Sequence, residues 1–126
     1  MYKLGIKSKW NLRGVHPDLV KVVELAITIS KVDFTVLEGL RSEKRQKELL
    51  LKGATKTLKS RHLTGHAVDL AALINGKVAW DWPLYSKIAD AMKQAAKQLS
   101  IPIEWGGDWK TFKDGPHFQL PWREYP

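Results

Sequence analysis

The stretch SRHLTGHAVD, residues 60–69, packs two histidines, a glycine and a carboxylate into ten positions. His62 and His66 are four residues apart, a spacing that would put both on one face of a helix, as in zinc sites built on a helix. Gly65 between them and β-branched neighbours disfavour a helix, so the pattern predicts a loop followed by a strand. The two histidines therefore need not bind the same ion.

Asp69 ends this stretch inside the apolar run AVDLAAL, residues 67–73. An unpaired carboxylate buried in such a strand would cost several kcal/mol, so something must compensate its charge. A metal ion or a cationic side chain would do so. The alternative is that Asp69 accepts hydrogen bonds from a neighbouring turn or pairs with an arginine, and the residues alone leave both possibilities open.

A second group of polar residues lies in WGGDWKTFKDGPHFQL, residues 105–120. Asp114 stands three residues before His117, and the DGP between them favours a turn that brings the carboxylate alongside the histidine. Taken alone, His117 is typical of a partly buried histidine with hydrogen-bond partners. Joined to His62 and Asp69, it completes two histidines and one carboxylate, which with a fourth position open for water is the ligand set of a catalytic zinc. Asp114 is then the candidate general base.

The rest of the chain predicts an α+β fold with a small antiparallel sheet. Helices are predicted where apolar residues recur at helical spacing behind Pro17, Ser42 and Pro83: about 17–30, 42–53 and 83–99. Strands are predicted over 33–38, 66–73, 77–80, 101–105 and 116–120. Asn75 and Gly76 favour a tight turn between the second and third strands. Residues 53–65 have no clean period and predict a loop.

Composition limits the class of protein. The 126 residues predict one domain, 1–126, and the absence of cysteine excludes disulfides, thiolate zinc sites and a cysteine nucleophile. We expect neither a signal peptide nor membrane insertion, because no apolar run has the necessary length. The net charge of +8 favours polyanionic partners such as nucleic acid, acidic lipid or a bacterial cell wall, although scattered lysines also suit a solvated surface.

These motifs resemble a known family. SRHLTGHAVD matches the pattern S-x-H-x-x-G-x-A-x-D of the zinc peptidases that include D-alanyl-D-alanine carboxypeptidases and dipeptidases, and DGPH resembles their acidic-x-x-His element. The chain most resembles phage endolysins of the L-alanyl-D-glutamate endopeptidase type, which contain NLRGVHPDLVKVV, EGLRS, the central motif and EWGGDWKTFKDGPHFQLP in this order. The likeness covers residues 11–121. It implies a D-Ala-D-Ala carboxypeptidase or hedgehog-like fold, with about three helices and a zinc site at the sheet.

The resemblance implies a role for each matching residue. It implies that Zn²⁺ is held by His62, Asp69 and His117. Asp114 falls on the catalytic carboxylate, which would take a proton from the zinc-bound water. His66 falls on a variable position and is not counted as a ligand.

Two further positions carry a weaker implication. Arg41 in EGLRS falls on an arginine that contacts substrate or a developing oxyanion, which its forked donors suit. The alternative is a surface arginine near the start of a helix. Ser60 matches the motif serine and is predicted to bind substrate, although the order of residues does not distinguish a substrate contact from a brace for the loop.

The implied function is zinc-dependent hydrolysis of peptidoglycan between L-alanine and D-glutamate of the stem peptide. We expect a monomer without a separate wall-binding module. The protein is expected to stay in the host cytoplasm until another protein opens the membrane, and then to lyse the cell. The alternative within the enzyme class is a D-alanyl-D-alanine carboxypeptidase.

Two alternative functions belong to other classes of protein. A nucleic-acid-binding module would explain the charge and the six tryptophans, but no nucleic-acid motif is present, and Trp105 and Trp109 are predicted to flank the proposed site. Nucleic acid is therefore not an expected partner. A wall-binding protein that has lost catalysis is disfavoured, because all three candidate ligands and the acid are present.

Overall fold

Four α-helices and a five-stranded antiparallel sheet form the part of the chain that the computed structural model describes, residues 1–55 and 59–126. In chain order these are α1 (Ile6–Asn11), α2 (Pro17–Ile29), β1 (Asp33–Glu38), α3 (Glu43–Leu51), β2 (Ala67–Ile74), β3 (Lys77–Ala79), α4 (Trp82–Leu99), β4 (Glu104–Trp105) and β5 (His117–Gln119). Two short 3₁₀ helices span Arg61–Thr64 and Gly106–Asp108. Part of the predicted loop over 53–65 lies outside the described residues, and its end forms the first 3₁₀ helix.

The sheet has the order β1-β2-β5-β4, and β3 pairs with the far end of β2. Every pairing is antiparallel, as the sequence predicted. The register sets Asp69 of β2 opposite His117 of β5, and Gln119 of β5 opposite Glu104 of β4. The sheet therefore brings polar residues from distant parts of the chain into two neighbouring cross-strand pairs.

The hydrophobic core lies between the sheet and the helices α2 and α4, which pack against each other. Helix α2 begins at Pro17, and the His16 side chain caps it by accepting a hydrogen bond from the Asp18 N–H. Its fully buried apolar side chains include Leu19 and Val22, and each such side chain stabilises the fold by roughly 1.5–3 kcal/mol. No helix within the described ranges is both long and apolar enough to cross a membrane.

Helix α1 was not predicted from the sequence. Its six residues carry two lysines and its N-cap, Gly5, makes no side-chain hydrogen bond, so it has no local start pattern. Contacts with β1 hold it instead: Ser8 Oγ accepts from the Val36 N–H at 2.9 Å, and Asn11 Nδ2 donates to the Val36 carbonyl at 2.8 Å. Four helices therefore surround the sheet rather than about three.

For the other helices and strands, the predicted ends lie within a few residues of the observed ends. The turn between β2 and β3 has positive φ at both Asn75 and Gly76, as an Asn-Gly hairpin turn requires. Strand β4 is shorter than predicted, two residues in place of 101–105. Pro102, within the missing part, has no N–H to donate to a neighbouring strand.

Candidate metal centre

His62, Asp69 and His117 converge on one point beside the two central strands of the sheet. The Nε2 of His62 lies 3.3 Å from Oδ1 of Asp69, and Nδ1 of His117 lies 3.4 Å from the same oxygen. One donor atom from each residue lies within 4.8 Å of the other two. Both histidines are buried and Asp69 is partly exposed, so the cluster opens to solvent on the side of the carboxylate.

The local fold around His62 determines how its ring points. Ser60 caps the 3₁₀ helix by accepting a hydrogen bond from the His62 N–H at 3.1 Å. The ring Nδ1 lies 2.8 Å from the Gly39 carbonyl oxygen, which can only accept, so Nδ1 carries the proton and the Nε2 lone pair faces Asp69. Gly65 ends the helix with φ +76°, and a Cβ there would collide with the Gly14 carbonyl. Glycine is required at that position because of both its conformation and the close approach.

The electrostatics of Asp69 are dominated by its two histidine neighbours. Burial would raise the pKa of this carboxyl, but its interactions with the His117 and His62 rings outweigh burial and hold the pKa well below the usual range. Nη2 of Arg41 also lies 3.7 Å from Asp69 Oδ2. The arginine partner considered from the sequence is thus present together with the histidines. The carboxylate stays ionised, which is the form that binds a cation.

Arg41 lies beside the cluster in a fixed orientation. Its Nε donates to Glu38 Oε1 at 2.6 Å, its Nη2 donates to the same oxygen, and its Nη1 donates to Gln46 Oε1 at 2.7 Å. A guanidinium has five N–H groups, so two remain for other partners. Neither Glu38 nor Gln46 was identified from the sequence, although the spacing of three residues between Glu38 and Arg41 is compatible with such a pair. Arg41 is therefore not the surface arginine that the sequence left as an alternative.

Asp114 faces the same cleft from the loop before β5. Its backbone is held by two hydrogen bonds, from its own N–H to the Gly106 carbonyl at 3.0 Å and from the His117 N–H to its carbonyl at 3.2 Å. Burial, and next the charge of Asp69, raise the pKa of the Asp114 carboxyl, although nearby cationic groups oppose this. A raised pKa makes Asp114 a stronger base than an ordinary aspartate.

Two sequence-predicted neighbours of the site differ in their positions. The Trp109 ring lies 5.2 Å from the His117 ring and lines the cleft. Trp105 does not line it: the ring is buried on Phe118, and its Nε1 donates to the Gly115 carbonyl at 2.7 Å. The prediction that Trp105 flanks the site is therefore wrong, because its strand directs that side chain into the core.

Ser60 and His66 can also be placed. Ser60 is half-buried and lines the cleft, and its hydroxyl is the cap of His62 described above. His66 is absent from the three-residue cluster, and its ring packs near His16 and Tyr125. Gly65 breaks the pairing of the two motif histidines, as the sequence indicated.

The cleft that contains the cluster has a volume of about 640 Å³. Both charged and aromatic side chains line it. Basic side chains line it at Arg41, Arg45 and Lys59, and aromatic side chains at Trp109, Phe112 and Trp122. Such a cleft suits an elongated ligand with negative charges and apolar parts.

The donor atoms suit a divalent metal. With the proton of His62 fixed on Nδ1, one imidazole lone pair is aimed at an ionised carboxylate, and the second imidazole presents its Nδ1 to the same oxygen. Lone pairs facing a carboxylate at this distance repel unless a proton or a metal ion lies between them. Two imidazole nitrogens and one carboxylate oxygen are ligands that zinc accepts.

Comparisons with known proteins identify several relatives. Residues 1–120 match the family described as Phage L-alanyl-D-glutamate peptidase. The L-alanyl-D-glutamate peptidase of Escherichia phage T5 is 35% identical over 117 residues, 90% of this chain and 85% of that protein. The peptidoglycan L-alanyl-D-glutamate endopeptidase CwlK of Bacillus subtilis is 33% identical over 102 residues, 71% of this chain and 61% of that protein.

Two solved structures are similar. The L-Ala D-Glu endopeptidase ChiX of Serratia marcescens is 57% identical, with a TM-score of 0.92, over 96% of this chain and 91% of that one. The D,D-dipeptidase VanXYg is 19% identical, with a TM-score of 0.55, over 84% of this chain and 50% of that one. The second likeness extends to the fold alone.

Proposed function

The chain belongs to the phage L-alanyl-D-glutamate peptidase family, and we propose that it is a zinc-dependent endopeptidase that cuts peptidoglycan stem peptides between L-alanine and D-glutamate. One observation carries the metal dependence: two histidines and an ionised carboxylate present donor atoms to a single point in a cleft. His62, Asp69 and His117 would hold the ion. A bound zinc would supply a water with a pKa near 7 and would polarise the carbonyl that is attacked.

The protein's own groups have separate tasks in this proposal. Asp114 accepts the proton of the attacking water and passes it to the departing amine of D-glutamate, which its raised pKa favours. The N–H groups of Arg41 that Glu38 and Gln46 do not use donate to the oxygen that becomes negative in the transition state. Glu38 and Gln46 hold the guanidinium still, so this donor pair is oriented before the substrate arrives.

We propose that basic side chains of the cleft bind the substrate. The stem peptide carries carboxylates, and Arg45 and Lys59 line the same cleft as Arg41. Ser60 also lies in this cleft, and its hydroxyl fixes the position of His62 by accepting a hydrogen bond from the backbone N–H of that residue. The surrounding net charge of +8 favours encounter with an anionic wall. We further propose that the chain acts as a monomeric single domain that reaches the wall of its host from within, once the membrane has been opened.

The carboxypeptidase alternative has less support. The likeness to the D,D-dipeptidase VanXYg, at 19% identity, extends to the fold and not to the bond cleaved. The relatives that are at least 30% identical carry the names of L-alanyl-D-glutamate peptidases.

Mass spectrometry of purified peptidoglycan after digestion tests the proposal. The expected product has a new N-terminal D-glutamate. Its formation should stop when the metal is removed by a chelator and resume when zinc is added. An Asp114→Asn protein purified in the same way controls for contaminating peptidases. Release of D-alanine without new N-terminal D-glutamate would instead establish the carboxypeptidase.

A further inference from the structure

His117 has a second polar contact on the side away from Asp69. Its Nε2 lies 2.7 Å from Oε1 of Gln119, while its Nδ1 faces the carboxylate of Asp69. Both His117 and Gln119 are buried. An imidazole that offers its Nδ1 lone pair to a metal must carry its proton on Nε2, so the contact with Gln119 decides whether Nδ1 is available.

The sheet register determines which end of the Gln119 amide meets His117. The two residues are two apart on β5, so their side chains lie on one face of the strand. Across the sheet, Gln119 is paired with Glu104 of β4, and its Nε2 donates to Glu104 Oε1 at 3.3 Å. An ionised carboxylate can only accept hydrogen bonds, so the amide nitrogen must face Glu104 and the amide oxygen must face His117.

We propose that Glu104 and Gln119 are positioning residues that set the tautomer of His117, with the proton on Nε2 and the lone pair on Nδ1. The inference rests on the proposed metal-dependent function and adds two residues to it. His62 is fixed differently, since its Nδ1 faces the backbone carbonyl of Gly39. A side-chain substitution can therefore replace the acceptor that faces His117 Nε2 by a donor, while the partner of His62 Nδ1 stays unchanged.

The substitution Glu104→Lys tests this directly at an exposed position. A lysine at 104 is a donor, so the Gln119 amide should rotate and present its nitrogen to His117 Nε2, which opposes the Nε2–H form that metal binding requires. The zinc Kd, from competition with a chromophoric chelator, reports this. We expect the Kd to rise by about 10- to 100-fold.

A second substitution should rescue the first. In Glu104→Lys/Gln119→Glu, the new carboxylate can accept from the lysine and from His117 Nε2 at once, so zinc affinity should return to within about threefold of the wild type. A role in packing alone predicts no such recovery. Glu24→Lys, the same charge change at an exposed residue of α2 outside the cleft, controls for net charge.

The outcomes separate this inference from the proposed function. Loss of zinc affinity with recovery in the double variant supports it. An unchanged zinc Kd in Glu104→Lys, or no recovery in the double variant, would overturn it while leaving zinc-dependent cleavage intact. A wild-type protein that binds zinc but releases no new N-terminal D-glutamate would overturn the proposed function and leave this inference standing.

Discussion

Asp69 and His117 lie directly opposite each other on β2 and β5, with Oδ1 of the carboxylate 3.4 Å from Nδ1 of the ring. They are 48 residues apart in the chain, so strand pairing alone brings them together. His62 joins them from the 3₁₀ helix before β2, which makes the cluster depend on both local and distant structure.

Removal of either histidine of the cluster should abolish stoichiometric zinc binding. We expect His62→Ala and His117→Ala to contain almost no zinc by elemental analysis after dialysis, because two remaining donors hold the ion too weakly. His66→Ala is the matched control, since that ring packs near His16 and Tyr125. Zinc loss in the control, or about one zinc per chain in either of the first two variants, would contradict the assignment.

Asp114→Asn should separate metal binding from chemistry. The amide keeps the size of the side chain but cannot take a proton, so kcat should fall by about 10²- to 10⁴-fold while zinc content and the far-ultraviolet dichroism stay unchanged. Release of new N-terminal D-glutamate measures the rate. Activity close to that of the wild type would remove Asp114 as the general base.

Arg41→Lys should weaken the transition state although the charge is conserved. Lysine cannot keep the contacts with Glu38 and Gln46 and also donate to an oxyanion, so kcat should fall by about 10²- to 10³-fold with zinc retained. Arg45→Lys serves as the comparison, because Arg45 lines the same cleft but is exposed. Equal losses in the two variants would indicate that Arg41 contributes only charge.

The pH dependence of stability should reverse when zinc binds. Burial lowers the pKa of His117, but its hydrogen bond with Asp69, the charge of Asp69 and the bond to Gln119 outweigh this and raise it. In metal-free protein the resulting stability is complete below the unfolded pKa of about 6.5 and is lost as pH rises through the folded pKa. Zinc requires a deprotonated ring, so its stabilisation grows with pH. Urea unfolding at about pH 6 and about pH 8.5, with and without zinc, measures both slopes; parallel slopes would contradict the prediction.

Gly65→Ala should cost more stability than Gly76→Ala. Both glycines have φ near +77°, so the backbone strain is similar, about 1 kcal/mol. A Cβ at Gly76 meets nothing within 4 Å, whereas one at Gly65 collides with the Gly14 carbonyl. The free energy of unfolding from urea titration gives the difference. Equal values would show that the 3₁₀ helix moves freely to relieve the collision, and zinc affinity would then report whether His62 moves with it.

Local patterns in the sequence were sufficient for most of the fold. Helix α2 was predicted from its apolar spacing and from Pro17, and the β2–β3 hairpin from Asn75 and Gly76, because these preferences act over a few residues. Helix α1 was missed because contacts with Thr35 and Val36 of β1 hold it, and such contacts leave no local pattern.

The sequence by itself determined which residues compose the candidate centre, since His62, Asp69, Asp114 and His117 stand in motifs with restricted spacing. Only the tertiary structure decided how they are oriented: the Gly39 carbonyl faces one histidine ring, and Gln119 with Glu104 faces the other. The physical reason is that a hydrogen bond across a sheet depends on strand register. Register is fixed by the packing of the whole core, which no short stretch of sequence contains.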